Sequence, residues 1–376
     1  MRLTSGQERS PGSTIPLLAA KGEGMIDRNE ALRKLAMNVA RYSGVAPLAK
    51  PLMGGVGAIL MLHHVSVDAP KPLGMNAHLT ITPYFLDEVI TLMKRMGYEF
   101  VGMDEAVERI AEPVSGSRFA AITADDAYRD NLAEALPVLE THDAPITVYA
   151  APGLVDGSVD VWWELLEDVV TKADQVHMRL NGETIVFDCA TPAARRDSFV
   201  RILRHLSEDF PEEEQRDAVR EMARQAGLDP CFAGRSNVMD WDQLRRMARH
   251  RLVTIGAHTV HHYNLKRLGE DRALAEMSDA ATRIADETGK RPRHMAFPYG
   301  FPSAVGQREV DLAEKAGFAS AVTTRHGLIR AEHARHLCAL PRISLNGRYQ
   351  DIGYVRTMLS GVTTPLANAG RRLVTV

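Results

Sequence analysis

Two adjacent carboxylates, Asp125 and Asp126, follow directly on the apolar run Phe119-Ala120-Ala121-Ile122 and Thr123-Ala124. A buried strand that stops at two acids delivers negative charge to one spot, because the chain turns at the strand end and both side chains can meet one ligand. Like charges that close stay ionised together only beside a compensating cation, either a metal ion or an arginine. The plainer reading of such a pair is that it caps the helix that follows. A second set lies behind the run Leu252-Val253-Thr254-Ile255, in Gly256-Ala257-His258-Thr259-Val260-His261-His262. In a helical turn His258 and His262, four residues apart, share a face, which is a spacing that divalent metals use, although histidine pairs also serve as packing or surface residues. With Asp126 they make a set of two imidazoles and one carboxylate that leaves coordination positions open for water and substrate. His261 is left outside this set as a supporting or solvated residue.

Positioning these groups requires strands that end at one place. The sequence predicts strands at Ala58 to Leu62, from Phe119, at Ile146 to Ala150, Leu252 to Ile255, Met295 to Phe297, Ser320 to Thr323 and Pro341 to Leu345. Helical stretches alternate with them: one capped by Thr82-Pro83 and ended by Gly97, then Leu132 to Leu139, Leu274 to Thr288 and Glu309 to Ala316. Strict alternation implies a parallel sheet, and this many repeats imply a barrel. The alternation breaks from 156 to 240, where Trp162-Trp163, a hairpin signal at Asn181-Gly182 and two charged helical stretches, Pro192 to Leu206 and Pro211 to Ala226, read as an insertion. Such an excursion forms a lid or wall of a site, or a plain surface elaboration.

At 376 residues, 45% hydrophobic and 25% charged, the chain can bury a large core, and a formal net charge of -3 gives no basic footprint for nucleic acid or anionic membranes. Cys189, Cys231 and Cys338 are widely spaced, which favours free thiols in a reducing compartment. Residues 1–24 lack the apolar stretch of a signal peptide, and Gly57 to Leu62 is too short to span a bilayer, so the expectation is a cytoplasmic protein with no transmembrane segment. The expected organisation is a disordered tail over 1–24, with Met25 as a possible start. A helical segment follows over 25–57, amphipathic from Arg28 to Tyr42, then the barrel over 58–346 and a helix or tail over 347–376.

The motifs together resemble the NodB-homology polysaccharide deacetylases, the family-four carbohydrate esterases. Thr123-Ala124-Asp125-Asp126-Ala127 is similar to that family's Thr-Phe-Asp-Asp-Gly, and His258-Thr259 through His262 to its His-Ser/Thr-x-x-x-His. Phe297-Pro298-Tyr299-Gly300 is similar to its third motif. Leu62-His63-His64-Val65-Ser66 and Leu340-Pro341-Arg342-Ile343 resemble the opening and closing motifs of one branch, so that the likeness runs from Ile59 to Leu345. The resemblance implies a distorted (β/α) barrel of the NodB-homology type with a helical and hairpin insertion. It further implies a divalent metal, zinc or cobalt, held by Asp126, His258 and His262, with Asp125 as general base and the Tyr299 backbone N–H as oxyanion donor. The implied substrate is an acetylated amino sugar, such as an N-acetylglucosamine-containing oligosaccharide or polysaccharide.

Several positions depart from the family pattern. Ala124 and Ala127 stand where it has Phe and Gly, and Ala296 stands where many members place the arginine that orients the base, which makes Arg342 its substitute here. The usual Leu-x-His near the end is absent; His63 is the best replacement as general acid, with His64 as competitor and a catalytic role for neither as the plainer alternative. Two other readings follow from these departures and from the family's breadth: a hydrolase of non-sugar C–N bonds, and an inactive carbohydrate-binding relative.

Overall fold

The structure is a computed structural model that describes residues 34–35, 37–43, 53–113, 116–230 and 236–376. The expected tail over 1–24, the start at Met25, most of the helical segment over 25–57 and Cys231 lie outside the described residues.

The strands in chain order are β1 (Gly57–Leu62), β2 (His64–Val65), β3 (Thr80–Ile81), β4 (Tyr98–Phe100), β5 (Arg118–Ala124), β6 (Ile146–Ala150), β7 (Gln175–Leu180), β8 (Glu183–Asp188), β9 (Val253–Ala257), β10 (His294–Ala296), β11 (Ser320–His326) and β12 (Leu340–Ser344). Seven of them close a parallel barrel in the order β1-β12-β11-β10-β9-β6-β5, with β5 returning to β1 over six register pairs from Gly57↔Phe119 to Leu62↔Ala124. These are the seven strands read from the sequence. β4 pairs beside the first half of β5 and was not anticipated; three residues with a charged centre carry too little pattern to be seen.

Barrel strands are covered on both sides, which is why they read as continuous apolar runs. On β1, Ala58, Leu60 and Leu62 face the helix layer with Leu86, Val89 and Ile90. Ile59 faces the interior with Phe119, Ala121, Tyr149, Ala296, Val322 and Leu340. The first covering helix, Pro83–Arg95, begins where expected: the Thr82 side chain accepts from the Phe85 N–H, and proline occupies the first turn.

The stretch between β6 and β9 builds a second small core. Helices Trp162–Lys172, Pro192–Glu208 and Glu212–Gln225 pack with β7 and β8 around Leu166, Val170, Phe187, Ile202 and Met222. The hairpin turns at Asn181 and Gly182, with φ of 52° and 83°, the double left-handed turn that Asn-Gly predicts. Among the described residues no helix is long and apolar enough to cross a membrane.

Candidate active site

Strand alternation decides which side chains reach the barrel mouth. On β5 the inward series Phe119, Ala121 and Thr123 continues to Asp125; on β1 the series Ile59 and Met61 continues to His63; on β12 Leu340 leads to Arg342. The three outermost members meet. Arg342, 1% exposed, donates from Nη1 and Nη2 to the two Asp125 carboxylate oxygens at 2.7 Å each, and Nη1 also donates to Thr123 Oγ1 at 3.1 Å. Burial alone would raise the Asp125 carboxyl, but the Arg342 charge and its hydrogen bonds outweigh that and hold it at about 2. The structure thus brings Arg342 and Asp125 together.

His63 Nε2 lies 3.9 Å from Asp125 Oδ2, and its side chain is 19% exposed. Burial pushes this imidazole down, with the Arg342 charge adding to the effect against the pull of Asp125, so the ring is neutral at neutral pH. His64, the competitor, points the other way. Its Nδ1 meets Asp130 Oδ2 at 2.5 Å and its Nε2 meets Glu164 Oε1 at 3.0 Å, while its ring lies over Tyr128 at 3.5 Å. Both ring nitrogens are engaged, so His64 ties the barrel to the inserted helix Trp162–Lys172.

Asp126 breaks the alternation. Its φ of 68° and that of 55° at Ala127 turn the chain back on itself, which brings the second carboxylate to the same mouth as the first. Neither acid caps a helix. Asp126 Oδ1 is buried without a hydrogen-bond partner, 3.6 Å from His258 Nε2 and 3.5 Å from His262 Nε2. Two donors each about 2.0–2.2 Å from a single tetrahedral ion stand roughly 3.3–3.6 Å apart, so the spacing suits one divalent metal between them. His258 Nδ1 donates to the Ala296 carbonyl at 2.7 Å; a carbonyl can only accept, so the proton sits on Nδ1 and the Nε2 lone pair faces Asp126. Burial lowers both imidazoles, His262 the more, and keeps them in the neutral form that binds metals. Burial and the neighbouring Asp125 charge push Asp126 up, the response of a carboxylate that lacks a counter-ion. Asp126, His258 and His262 thus fit the expected ion on donor chemistry and on spacing.

The two histidines do not converge through a helical turn, as their spacing suggested. They sit on a loop in which Thr259 and His262 take φ of 59° and 55°. Tyr299, at 62°, extends the pattern: five of the eight described non-glycine residues with positive φ belong to this site, Asp126, Ala127, Thr259, His262 and Tyr299. Strained backbone concentrated at one place is the mark of a functional site rather than of a packing requirement. The Tyr299 amide donates to no backbone carbonyl among the described residues, while its carbonyl accepts from Thr324 Oγ1 at 2.6 Å.

Aromatic rings wall the side of the site where His262 lies. Trp163 and Tyr299 lie 5.0 Å and 5.1 Å from the His262 ring, and Trp162 Nε1 donates to the Tyr299 hydroxyl at 3.3 Å. The insertion therefore contributes a wall. Asp130, Glu164 and the Ala296 carbonyl escaped the sequence reading; a lone glutamate on the apolar face of Trp162-Trp163-Glu164-Leu165-Leu166 was the available signal for Glu164.

Residues 210–321 match the family model described as polysaccharide deacetylase. In structure the chain is similar to the deacetylase PplD of Streptococcus pyogenes, solved in complex with acetate, at 19% identity over 80% of this chain and 97% of that one, with a TM-score of 0.52. The chain shares the closed parallel barrel of that solved deacetylase. IcaB from Ammonifex degensii shares this barrel at 14% identity, covering 82% of this chain and 97% of its own, with a TM-score of 0.50. No curated protein matches the chain by sequence. The match to the polysaccharide deacetylase model begins at Phe210, inside the stretch read as an insertion, so helix Glu212–Gln225 falls within the matched segment.

Proposed function

We propose that the protein is a metal-dependent hydrolase that removes N-acetyl groups from an N-acetylglucosamine-containing oligosaccharide or polysaccharide. The observation that carries this reading is the juxtaposition of two differently charged acids: Asp125 locked to Arg342, and Asp126 unpartnered between two neutral imidazoles. A divalent ion bound by Asp126, His258 and His262 would polarise the acetyl carbonyl and acidify a water. Asp125 is held ionised and immobile, ready to accept that water's proton as it attacks. The proton that Asp125 takes from the water is relayed to the neighbouring neutral His63, 3.9 Å away, which hands it on to the departing amine. The Tyr299 N–H supplies a hydrogen bond to the oxygen that gains charge in the tetrahedral state. Trp163 and Tyr299 give the sugar a flat apolar surface beside the ion.

Of the departures that raise an inactive relative, at Ala124, Ala127 and Ala296, two have a structural counterpart that supports activity: Arg342 places a cation on Asp125, and Ala127 adopts the left-handed turn without glycine. One of the similar structures holds acetate, the product that this reaction would release. The test is acetate release from a panel of N-acetylated oligosaccharides with and without added zinc or cobalt. Metal-stimulated release from the sugars supports the reading. Turnover of cyclic amides with no acetate from any sugar would move the assignment to non-sugar C–N bonds.

A further inference from the structure

The loop that carries His262 is gripped from two sides, and one grip comes from the inserted region. On the barrel side Glu276, 2% exposed, accepts from the Val260 and His261 amides at 3.1 Å and 2.8 Å and meets His261 Nδ1 at 2.6 Å. On the opposite side Arg216, 4% exposed in helix Glu212–Gln225, donates from Nη2 to the carbonyls of His261 and His262, the latter at 3.3 Å. Its Nη1 donates to the Asp160 carbonyl at 3.1 Å, and its guanidinium lies 5.2 Å from the centre of the Tyr263 ring. One turn earlier Glu212 accepts from the Asn264 amide at 3.0 Å and from Arg267 at 2.9 Å.

We infer that Arg216 is a positioning residue that sets the coordination geometry of His262 through its backbone. His262 holds a φ of 55°, a conformation that is unfavourable for a residue bearing a side chain and persists only where its surroundings enforce it. Without Arg216 the carbonyls at 261 and 262 lose their buried donor, the left-handed turn relaxes, and His262 Nε2 leaves its place beside Asp126 Oδ1. The helix of the inserted region is then part of the metal centre rather than a surface elaboration. This inference rests on the metal centre proposed above.

The experiment measures Zn2+ affinity by competition with a chromophoric chelator, together with the melting temperature of the metal-free protein. It compares the parent with R216M, R216K and R220M. Arg220 lies one turn further on and binds the same 158–160 segment, through Asp160 Oδ2 and the Ser158 carbonyl. R216M is expected to bind zinc roughly 10- to 100-fold more weakly, the usual effect of removing a group that orients a metal ligand. R216K, with a single donor head, falls between R216M and the parent, and R220M binds like the parent while melting no higher than R216M. Parent-like affinity in R216M, or an equal loss in R220M, overturns the inference. Should R216M fail to fold, R216K carries the same test, with parent-like affinity overturning it. A parent that binds no zinc overturns the metal centre itself, a failure distinct from that of Arg216.

Discussion

Asp125 and Arg342 form a pair in which each member neutralises the other's buried charge, so the two substitutions that test the base have separable effects. Asp125→Asn leaves Asp126 and both histidines in place and should retain metal, while acetate release falls by roughly 10²- to 10⁴-fold. It also strands the Arg342 guanidinium, and urea unfolding should show a loss of roughly 3–5 kcal/mol. The double substitution Asp125→Asn with Arg342→Met should recover much of that stability and none of the activity; recovery of both would remove Asp125 from the chemistry. His63→Ala should slow cleavage of an N-acetyl sugar far more than that of an aryl acetate, whose leaving oxygen needs little protonation. Equal loss on both substrates would show that the proton for the amine comes from elsewhere. Strand parity explains why His63 rather than His64 takes this position: 59, 61 and 63 share the inward face with 119, 121, 123 and 125, and parity is readable in the sequence once β1 and β5 are known to pair.

At the scale of elements, the contact between His64, Asp130 and Glu164 joins β2 to the insertion and makes its attachment pH-dependent. Burial opposes a charge on His64, but the two carboxylates outweigh it and raise its pKa to about 9. The unfolded value is about 6.5, so this contribution to stability is complete below about pH 6.5 and disappears as pH rises through about 9, with a slope of at most about 1.4 kcal/mol per pH unit. Urea midpoints at pH 6.5 and 9.5 should differ more for the parent than for His64→Gln; equal differences would show that the ring is not charged. The turn after β10 is the second element under constraint. Gly300 has a φ of 62°, and a Cβ there would sit 2.4 Å from the Thr324 nitrogen. Gly300→Ala should therefore destabilise by roughly 1–2 kcal/mol from the backbone and roughly 1–3 kcal/mol from overpacking. A variant as stable as the parent would mean that the turn is free to move.

The elements that the sequence revealed are those with strong local codes: the seven barrel strands as apolar runs, the Thr82 cap, and the Asn181-Gly182 hairpin. The convergence of Asp126, His258 and His262 was legible as residue types and spacing, but its cause was not. Left-handed backbone at Asp126, Ala127 and His262 is imposed by tertiary contacts; Asp and His visit that region more often than most residues, yet too rarely for the sequence to announce it, and Ala has no such preference. The same limit hid Glu164 and Arg216, whose partners lie 100 and about 45 residues away.

For the whole molecule the expected metal content is one divalent ion per chain. Elemental analysis of the parent should find it, and His258→Ala should lose it. Because the folded chain alone assembles the three donors, zinc at about 1,000 times its dissociation constant should stabilise the fold by about 4 kcal/mol. A melting temperature that ignores both zinc and chelator would contradict a site at these residues.

The bond between Asp125 and Arg342 spans 217 positions of the chain and joins β5 to β12, the last strand to be made. During synthesis Asp126, His258 and His262, on the loops after β5 and β9, emerge while Asp125 still has no cation to hold it. A nascent chain that stops short of Leu340 has an open sheet edge where β12 belongs, between β1 and β11, and an Asp125 free to swing or to take up a proton. The insertion of one strand therefore closes the barrel wall and brings Arg342 to Asp125 in the same event.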